Sequence, residues 1–326
     1  MKLSTTFLFT VLFAAVLAVY LKTRPPSLLQ DPVKKVFEIP SRKLLDLRSA
    51  DQVVWLQLQN LEQQTTITLI KRDGSWYVKF PLEDYADDEL VHEMIKKLLS
   101  IYRQKIYQPE KDWEEYGLAK PGIKVGIETT QWTERRYLYL GDVSPIENML
   151  FARWSHEEGY FLVSPDIMKI LHQSLYSLRE KRVFRRDLSQ LLKITFYFDA
   201  KRYDFQKGVR GWELALPNAS SQRLMDSKKM EDLIGQLTHL MVKDFVAEPQ
   251  ELAKISGISK ENSFVEVQFK EGLLETVYLG NEFPLRDSYF SKRENEAQLF
   301  FLDRKKIRHL FESVAVFAQG TEATRI

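Results

Sequence analysis

The 326-residue chain contains no cysteine. Disulfides, thiolate metal sites, cysteine nucleophiles and cysteine-linked lipids are thereby excluded. A thiol-free chain suits any redox environment, so the compartment is not set by this. Histidine is scarce: His92, His156, His172, His239 and His309 are scattered singly. The nearest metal-like spacing, His92-Glu93-Met94-Ile95-Lys96, places lysine where a zinc site needs a second histidine. The 13 glycines form no Gly-x4-Gly-Lys-Ser/Thr loop, no Gly-x-Gly-x-x-Gly turn and no Gly-x-Ser-x-Gly elbow. Asp84, Asp87 and Asp88 lack the glycine-centred loop of a calcium site and read as helix-capping groups. An excess of one charge is also missing, with 47 basic against 45 acidic residues. That gives no general electrostatic case for a nucleic-acid partner, which usually needs a basic face. No catalytic residue, cofactor or metal ligand is expected.

What is present begins at the N-terminus. Leu3 to Leu21 carries no charge and is mostly Leu, Phe, Val and Ala. As a helix it reaches about 28 Å, close to the roughly 30 Å of bilayer hydrocarbon. Lys2 flanks one end, Lys22 and Arg24 the other, and Pro25 and Pro26 stop the helix. A cleaved signal peptide would use Val16-Leu17-Ala18; the length and the basic flanks favour an uncleaved anchor. The expectation is a single-pass protein of the bacterial inner (cytoplasmic) membrane, N-terminus inside and most of the chain extracytoplasmic. Residues 1–24 are then the anchor and the proline-bearing 25–44 a tether.

The rest of the chain repeats itself. Val53 to Leu58, Thr66 to Lys71 and Ser75 to Phe80 read as strands, with Asp73-Gly74 a hairpin turn. A helix capped by Asp87 follows, with Leu90, Val91, Met94, Ile95, Leu98, Leu99 and Tyr102 expected on its apolar face. Strands come next at Ile123 to Ile127, Tyr137 to Gly141, Leu150 to Trp154 and Tyr160 to Val163, then a closing helix opened by Ser164 and Pro165. The same order recurs about 140 residues later: Trp76 with Trp212, Val91 with Met230, Pro109 with Pro249, Gly117 with Gly257, Leu140-Gly141 with Leu279-Gly280, Phe151 with Phe290, Ser164 with Asp303. A near-constant offset across so many element types predicts a tandem duplication. The expected fold is α+β: two mixed, largely antiparallel sheet-plus-helices domains, 45–187 and 188–326, behind one transmembrane helix. Gly117 and Gly141 look like site residues at first, but their echoes indicate turn geometry that both copies need.

Gly74-Ser-Trp-Tyr-Val78, the capped helix, Glu115-Tyr-Gly-Leu-Ala-Lys-Pro121, Tyr139-Leu-Gly141, Tyr160-Phe-Leu-Val163 and Leu178-Arg-Glu-Lys-Arg182 carry a resemblance. Together they resemble an uncharacterised bacterial family of single-pass envelope proteins with a domain of unknown function, often in tandem. Its members are frequently encoded beside ABC-transporter genes of the gliding-motility auxiliary type. The resemblance spans about residues 45 to 310. It is weaker in the second copy, where Ile255-Ser256-Gly257 replaces the Tyr-Gly-Leu form. The resemblance implies membrane-protein partners, transporter subunits among them, and no catalytic residues.

One charged segment stands out. Arg179, Lys181, Arg182, Arg185 and Arg186 surround Phe184 between the copies. One reading is a docking site for an anionic head group or an acidic partner face; the other is a solvated helix end with well-placed cations. The runs Phe196-Tyr-Phe198 and Phe300-Phe301 read as core and interface rather than a base-stacking platform. Asn218-Ala219-Ser220 is a formal sequon without meaning in most bacteria. The functional expectation is a non-enzymatic, membrane-anchored accessory or scaffold of an ABC-type transport assembly. The alternatives are a module binding a lipid, glycan or peptide between the copies, and a hydrolase using carboxylates such as Glu114, Glu115 and Asp142.

Overall fold

The computed structural model describes residues 42–107, 113–215, 222–247 and 249–319. The expected anchor Leu3 to Leu21, most of the tether, Pro109 and the sequon Asn218 to Ser220 lie outside the described residues. Among the described residues no helix is long and apolar enough to cross a membrane. The chain divides into two compact units, Met1–Glu83 with Glu89–Gln173, and Asp84–Asp88 with Ser174–Ile326. The expected boundary at 187/188 differs from this division: residues 174–187 go with the second unit, as does the short segment Asp84–Asp88.

The strands are β1 (Arg42–Lys43), β2 (Val53–Asn60), β3 (Thr65–Arg72), β4 (Ser75–Phe80), β5 (Asp84–Tyr85), β6 (Tyr102–Tyr107), β7 (Ile123–Thr129), β8 (Arg136–Val143), β9 (Leu150–Trp154) and β10 (Tyr160–Val163). They continue as β11 (Leu191–Phe198), β12 (Lys201–Gly208), β13 (Gly211–Ala215), β14 (Gln222–Leu224), β15 (Asp244–Phe245), β16 (Phe264–Phe269), β17 (Leu274–Phe283), β18 (Ser288–Arg293) and β19 (Leu299–Asp303). In the first unit the sheet runs β6-β10-β9-β8-β7-β2-β3-β4, with β1 on the outer edge beside β6. In the second it runs β15-β19-β18-β17-β16-β11-β12-β13-β14. Reading β15 for β6, β19 for β10 and so on, eight strands follow one order in both. The pairings are antiparallel throughout.

Alternation explains the strands. In β16, Val265, Val267 and Phe269 are buried while Phe264, Glu266 and Gln268 are half-exposed, the period-two pattern of a sheet with one core face. The inner face of the second sheet meets Met230, Leu233 and Leu237 of helix Ser227–Thr238 and Ile307, Leu310 and Val314 of helix Arg304–Gln319. Each such buried side chain contributes roughly 1.5–3 kcal/mol against the unfolded chain. Asp226 caps the first of these helices, accepting from the Lys229 amide at 3.0 Å. Asp303 takes up the Lys305 and Lys306 amides at the start of the second. In the first unit Val91, Met94, Ile95 and Leu98 are the buried residues of helix Asp88–Leu99, while Leu90 and Leu99 are half-buried and Tyr102, expected on the same face, lies exposed in β6 because the helix ends at Leu99. The closing helix departs from expectation. Helix Asp166–Leu171 ends at His172, and Ser174 caps a separate turn, Leu175–Leu178, in the second unit. Ser174 Oγ accepting from the Ser177 amide at 3.0 Å is a local bond that competes with continuing the first helix.

Both units are entered alike. In the first, Leu44 and Leu45 are 1 % exposed and the Leu44 amide donates to Ile101 O at 2.7 Å. In the second, Val183 and Phe184 are buried and the Val183 amide donates to Leu240 O at 3.1 Å. A capped single turn follows each, Ala50–Gln52 under Ser49 and Leu188–Gln190 under Asp187. The glycine brackets also match. Gly117 has φ +64 and Gly257 φ +62; a Cβ would stand 2.6 Å from Asp142 Cγ in one and 2.5 Å from Asn281 Cγ in the other. A Cβ on Gly141 would collide with the carbonyl oxygen of Tyr116, and one on Gly280 with that of Ser256.

Candidate functional site

The basic segment lies within the second unit, where acidic side chains meet it. Arg179 is 3 % exposed, stacks on the Phe245 ring at 3.3 Å, and donates from Nε to Asp84 Oδ2 at 2.7 Å. Burial pulls its guanidinium below the ordinary value, and the Asp84 carboxylate opposes that. Arg185 sits over the Tyr85 ring at 3.7 Å, donates to Glu296 Oε1 at 2.6 Å, and gives its amide to Glu275 Oε2 at 2.8 Å. Lys181 donates to Ser177 O at 2.7 Å and lies 3.6 Å from Asp87. Arg182 holds Glu180 Oε2 from Nε at 2.9 Å. Burial works to raise the Glu180 pKa, but the side-chain and backbone hydrogen bonds from Arg182 bring it below the usual carboxylate value. Arg186 is half-exposed and 3.5 Å from Glu275. Arg293 of β18, 7 % exposed, donates to Val183 O at 3.0 Å and Arg182 O at 2.6 Å. Val183 and Phe184 must enter the core at this point, and the surrounding ion pairs fasten the chain there. What the segment offers to solvent is chiefly the heads of Arg182 and Arg186.

The sheet faces turned away from these helices differ between units. In the first, Arg135 lies over Trp55 at 4.3 Å, Lys124 over Tyr137 at 4.2 Å, and Arg153 over Tyr139 at 4.3 Å and Trp113 at 5.0 Å. Gly126 makes room for this: a Cβ there would meet the Trp55 ring at 2.6 Å. Trp113 and Tyr116, in the block before Gly117, pack on the same face. Tyr116 stacks on Tyr160 at 4.6 Å and meets Phe151 at a tilt at 4.7 Å. The corresponding block of the second unit is helix Pro249–Ser256, whose Leu252, with Ile258 beyond it, packs on Val246, Phe290, Leu299 and Phe301.

On the second unit's outer face, Tyr197 (β11), Phe264 (β16) and Tyr278 (β17) are cross-strand neighbours. Tyr197 and Phe264 stack at 5.4 Å, Phe264 and Tyr278 meet edge-on at 6.2 Å, and all three rings are half-exposed. Phe196 and Phe198 point the other way and are buried, as are Phe300 and Phe301. The Tyr278 hydroxyl donates to Glu294 Oε1 at 3.1 Å; burial and that carboxylate raise its pKa to about 12. An open cavity of about 280 Å³ lies at the end of the row, lined by Tyr197, Asp199, Glu261, Asn262 and Asn281 among others. In the first unit a smaller one of about 60 Å³ lies beside Leu58, Gln59, Ile123, Leu171 and His172.

Among the described residues no group of three or more His, Cys, Asp or Glu is placed to hold a metal. Glu114, Glu115 and Asp142 are exposed, and Asp142 is the side chain beside Gly117. Nothing in these arrangements points to catalysis. The outer-face rows and the cavity were beyond sequence reasoning, because their members come from separated strands and turns; alternation within Phe196-Tyr-Phe198 was the one available signal.

Residues 76–261 match the model of a domain of unknown function (DUF4340). No curated protein and no solved structure matches the chain.

Proposed function

The chain belongs to the DUF4340 family of domains of unknown function, and from that premise we propose that it is a non-enzymatic, membrane-anchored envelope protein serving as accessory or scaffold of a membrane assembly of the ABC-transport type. The Leu3 to Leu21 helix anchors it in the bacterial inner membrane, with both units outside the cytoplasm. The two units are a tandem duplication. The observation that carries the reading is the shared strand order together with the matched glycine brackets. Two copies of a sheet whose outer faces carry unlike side chains give one chain two contact surfaces, which suits a scaffold better than a single catalytic cleft. The exposed heads of Arg182 and Arg186 add a contact point for an acidic partner face.

The test is crosslinking followed by purification of the full chain in a gentle detergent. Transporter ATPase and permease subunits are expected to co-purify, and less of them with Arg182→Ala/Arg186→Ala. Recovery of a lone monomer under conditions that preserve other membrane complexes would sink the proposal.

A further inference from the structure

Three observations on the second unit converge at one end of its sheet. The first is the open aromatic row. Tyr197, Phe264 and Tyr278 occupy the register positions that Gln59, Lys124 and Tyr139 hold in the first unit. In the first unit cationic side chains lie across the rings; among the described residues none is placed over Tyr197, Phe264 or Tyr278. The second is the cavity of about 280 Å³ at the end of that row, near the lower edge of small-ligand pockets, roughly 300–1,000 Å³. The third is its polar lining. Asp199 and Glu261 supply carboxylates, and no lysine or arginine lines the cavity. Asn262 gives its amide nitrogen to Gly257 O at 2.6 Å and Asn281 gives its own to Ile255 O at 2.9 Å, so both amides are held in place. The wall itself is a tight β11–β12 turn in which Asp199 (φ 51) and Ala200 (φ 56) are both left-handed.

We propose that this cavity binds an uncharged saccharide. The C–H face of a sugar ring matches the negative face of an aromatic ring such as Tyr197. Its hydroxyls donate to the Asp199 and Glu261 carboxylates in charge-assisted bonds. Two carboxylates in a lining that holds no lysine or arginine repel phosphorylated or sulfated ligands, which separates this surface from an anion-docking site. The inference goes beyond the scaffold reading and does not depend on it.

The experiment titrates the full chain in detergent with maltotriose, cellotriose and N-acetylated chitotriose, followed by calorimetry and saturation-transfer NMR. At least one is expected to saturate, with signals from ring protons. Tyr197→Ala is expected to weaken that binding about tenfold, the scale of one lost aromatic contact. Asp199→Asn/Glu261→Gln is expected to do the same. Both those positions are exposed, so that variant keeps its fold and tests the site even if Tyr197→Ala unfolds. Lys124→Ala, in the first unit, leaves binding unchanged. The proposal is overturned if no sugar saturates, if spermidine binds and no sugar does, or if the Asp199→Asn/Glu261→Gln protein binds as well as the unaltered chain. Co-purification of membrane subunits is read separately and bears only on the scaffold.

Discussion

The same register row reads Gln59–Lys124–Tyr139–Arg153 in the first unit and Tyr197–Phe264–Tyr278–Lys292 in the second. The backbone geometry is alike and the chemistry is not. In the first row the cations fold back over their aromatic neighbours, so the face is occupied by its own side chains. In the second Tyr197 stacks on Phe264, Tyr278 meets Phe264 edge-on, and all three rings are half-exposed. What the units keep in common is what the backbone demands: the two glycine brackets, the capped entry turns, the buried entry pair. What they vary is the side chains a partner would meet. The comparison therefore separates architecture from recognition within one chain.

The largest expected effect falls where the second unit has an ionic device of its own. Asp84 is the carboxylate that meets the buried Arg179. Replacing it in Asp84→Ala leaves a buried guanidinium without its counter-charge, which costs about 3–5 kcal/mol. Urea unfolding of the full chain is expected to show the loss in the second unit's transition alone. An Asp84→Leu/Arg179→Met protein, apolar at both positions, is expected to recover most of it. A shift of both units by equal amounts would break the distinction drawn between them.

The next effect tests what they share. Gly141→Ala and Gly280→Ala each force a Cβ into a backbone carbonyl, that of Tyr116 or of Ser256, and a carbonyl within a packed turn cannot swing aside. Each is expected to cost about 2–4 kcal/mol, one per unit, read as paired losses in melting temperature. Gly117→Val adds a branched side chain at φ +64 against Asp142 and falls in the same range. If Gly280→Ala were harmless while Gly141→Ala unfolded its unit, the brackets would be alike in appearance only.

Much of the architecture was legible in the sequence because it rests on local rules. The strand Ser75 to Phe80 is found at its expected bounds, and Asp73 and Gly74 both take positive φ at the turn before it. Asp226 and Ser227 both offer a cap before the apolar run, and Asp226 is the one that caps the helix. The offset of about 140 residues located both glycine brackets. Three things were not legible. The strands β6 and β15 are polar or short and exist through pairing with distant partners, which no local periodicity records. The break after Leu171 follows from Ser174 capping a new turn, a choice that apolar spacing alone does not reveal. The basic segment reads as a solvated surface because its partners, Asp84, Glu275 and Glu296, lie about 90 residues or more away in the chain. The cavity is assembled from the Asp199-Ala200 turn, the loop at Glu261 to Ser263 and Asn281, so no motif could announce it.

The smallest effect sharpens the comparison at the surface. Glu282, at the end of β17, takes hydrogen bonds from Arg308 at 2.6 Å, Tyr289 at 2.9 Å and Arg304 at 3.2 Å. The position that matches it in the first unit is Val143, which has no charge to hold. Arg308 first, then Tyr289, brings the Glu282 pKa down to about 2. A carboxylate with a depressed folded-state pKa stabilises the fold above its unfolded value near 4.5, and that contribution fades as pH falls toward about 2. The clasp is exposed, so salt screens it and its weight is modest. Carboxyl-carbon NMR is expected to give a Glu282 midpoint near 2, moving up toward the ordinary glutamate value in Arg308→Ala. As pH falls from about 4.5 toward about 2 the Arg308→Ala protein and the unaltered chain should converge in stability. A Glu282 midpoint that stays put in Arg308→Ala would show that this corner of the second unit is not held by the Arg308 charge.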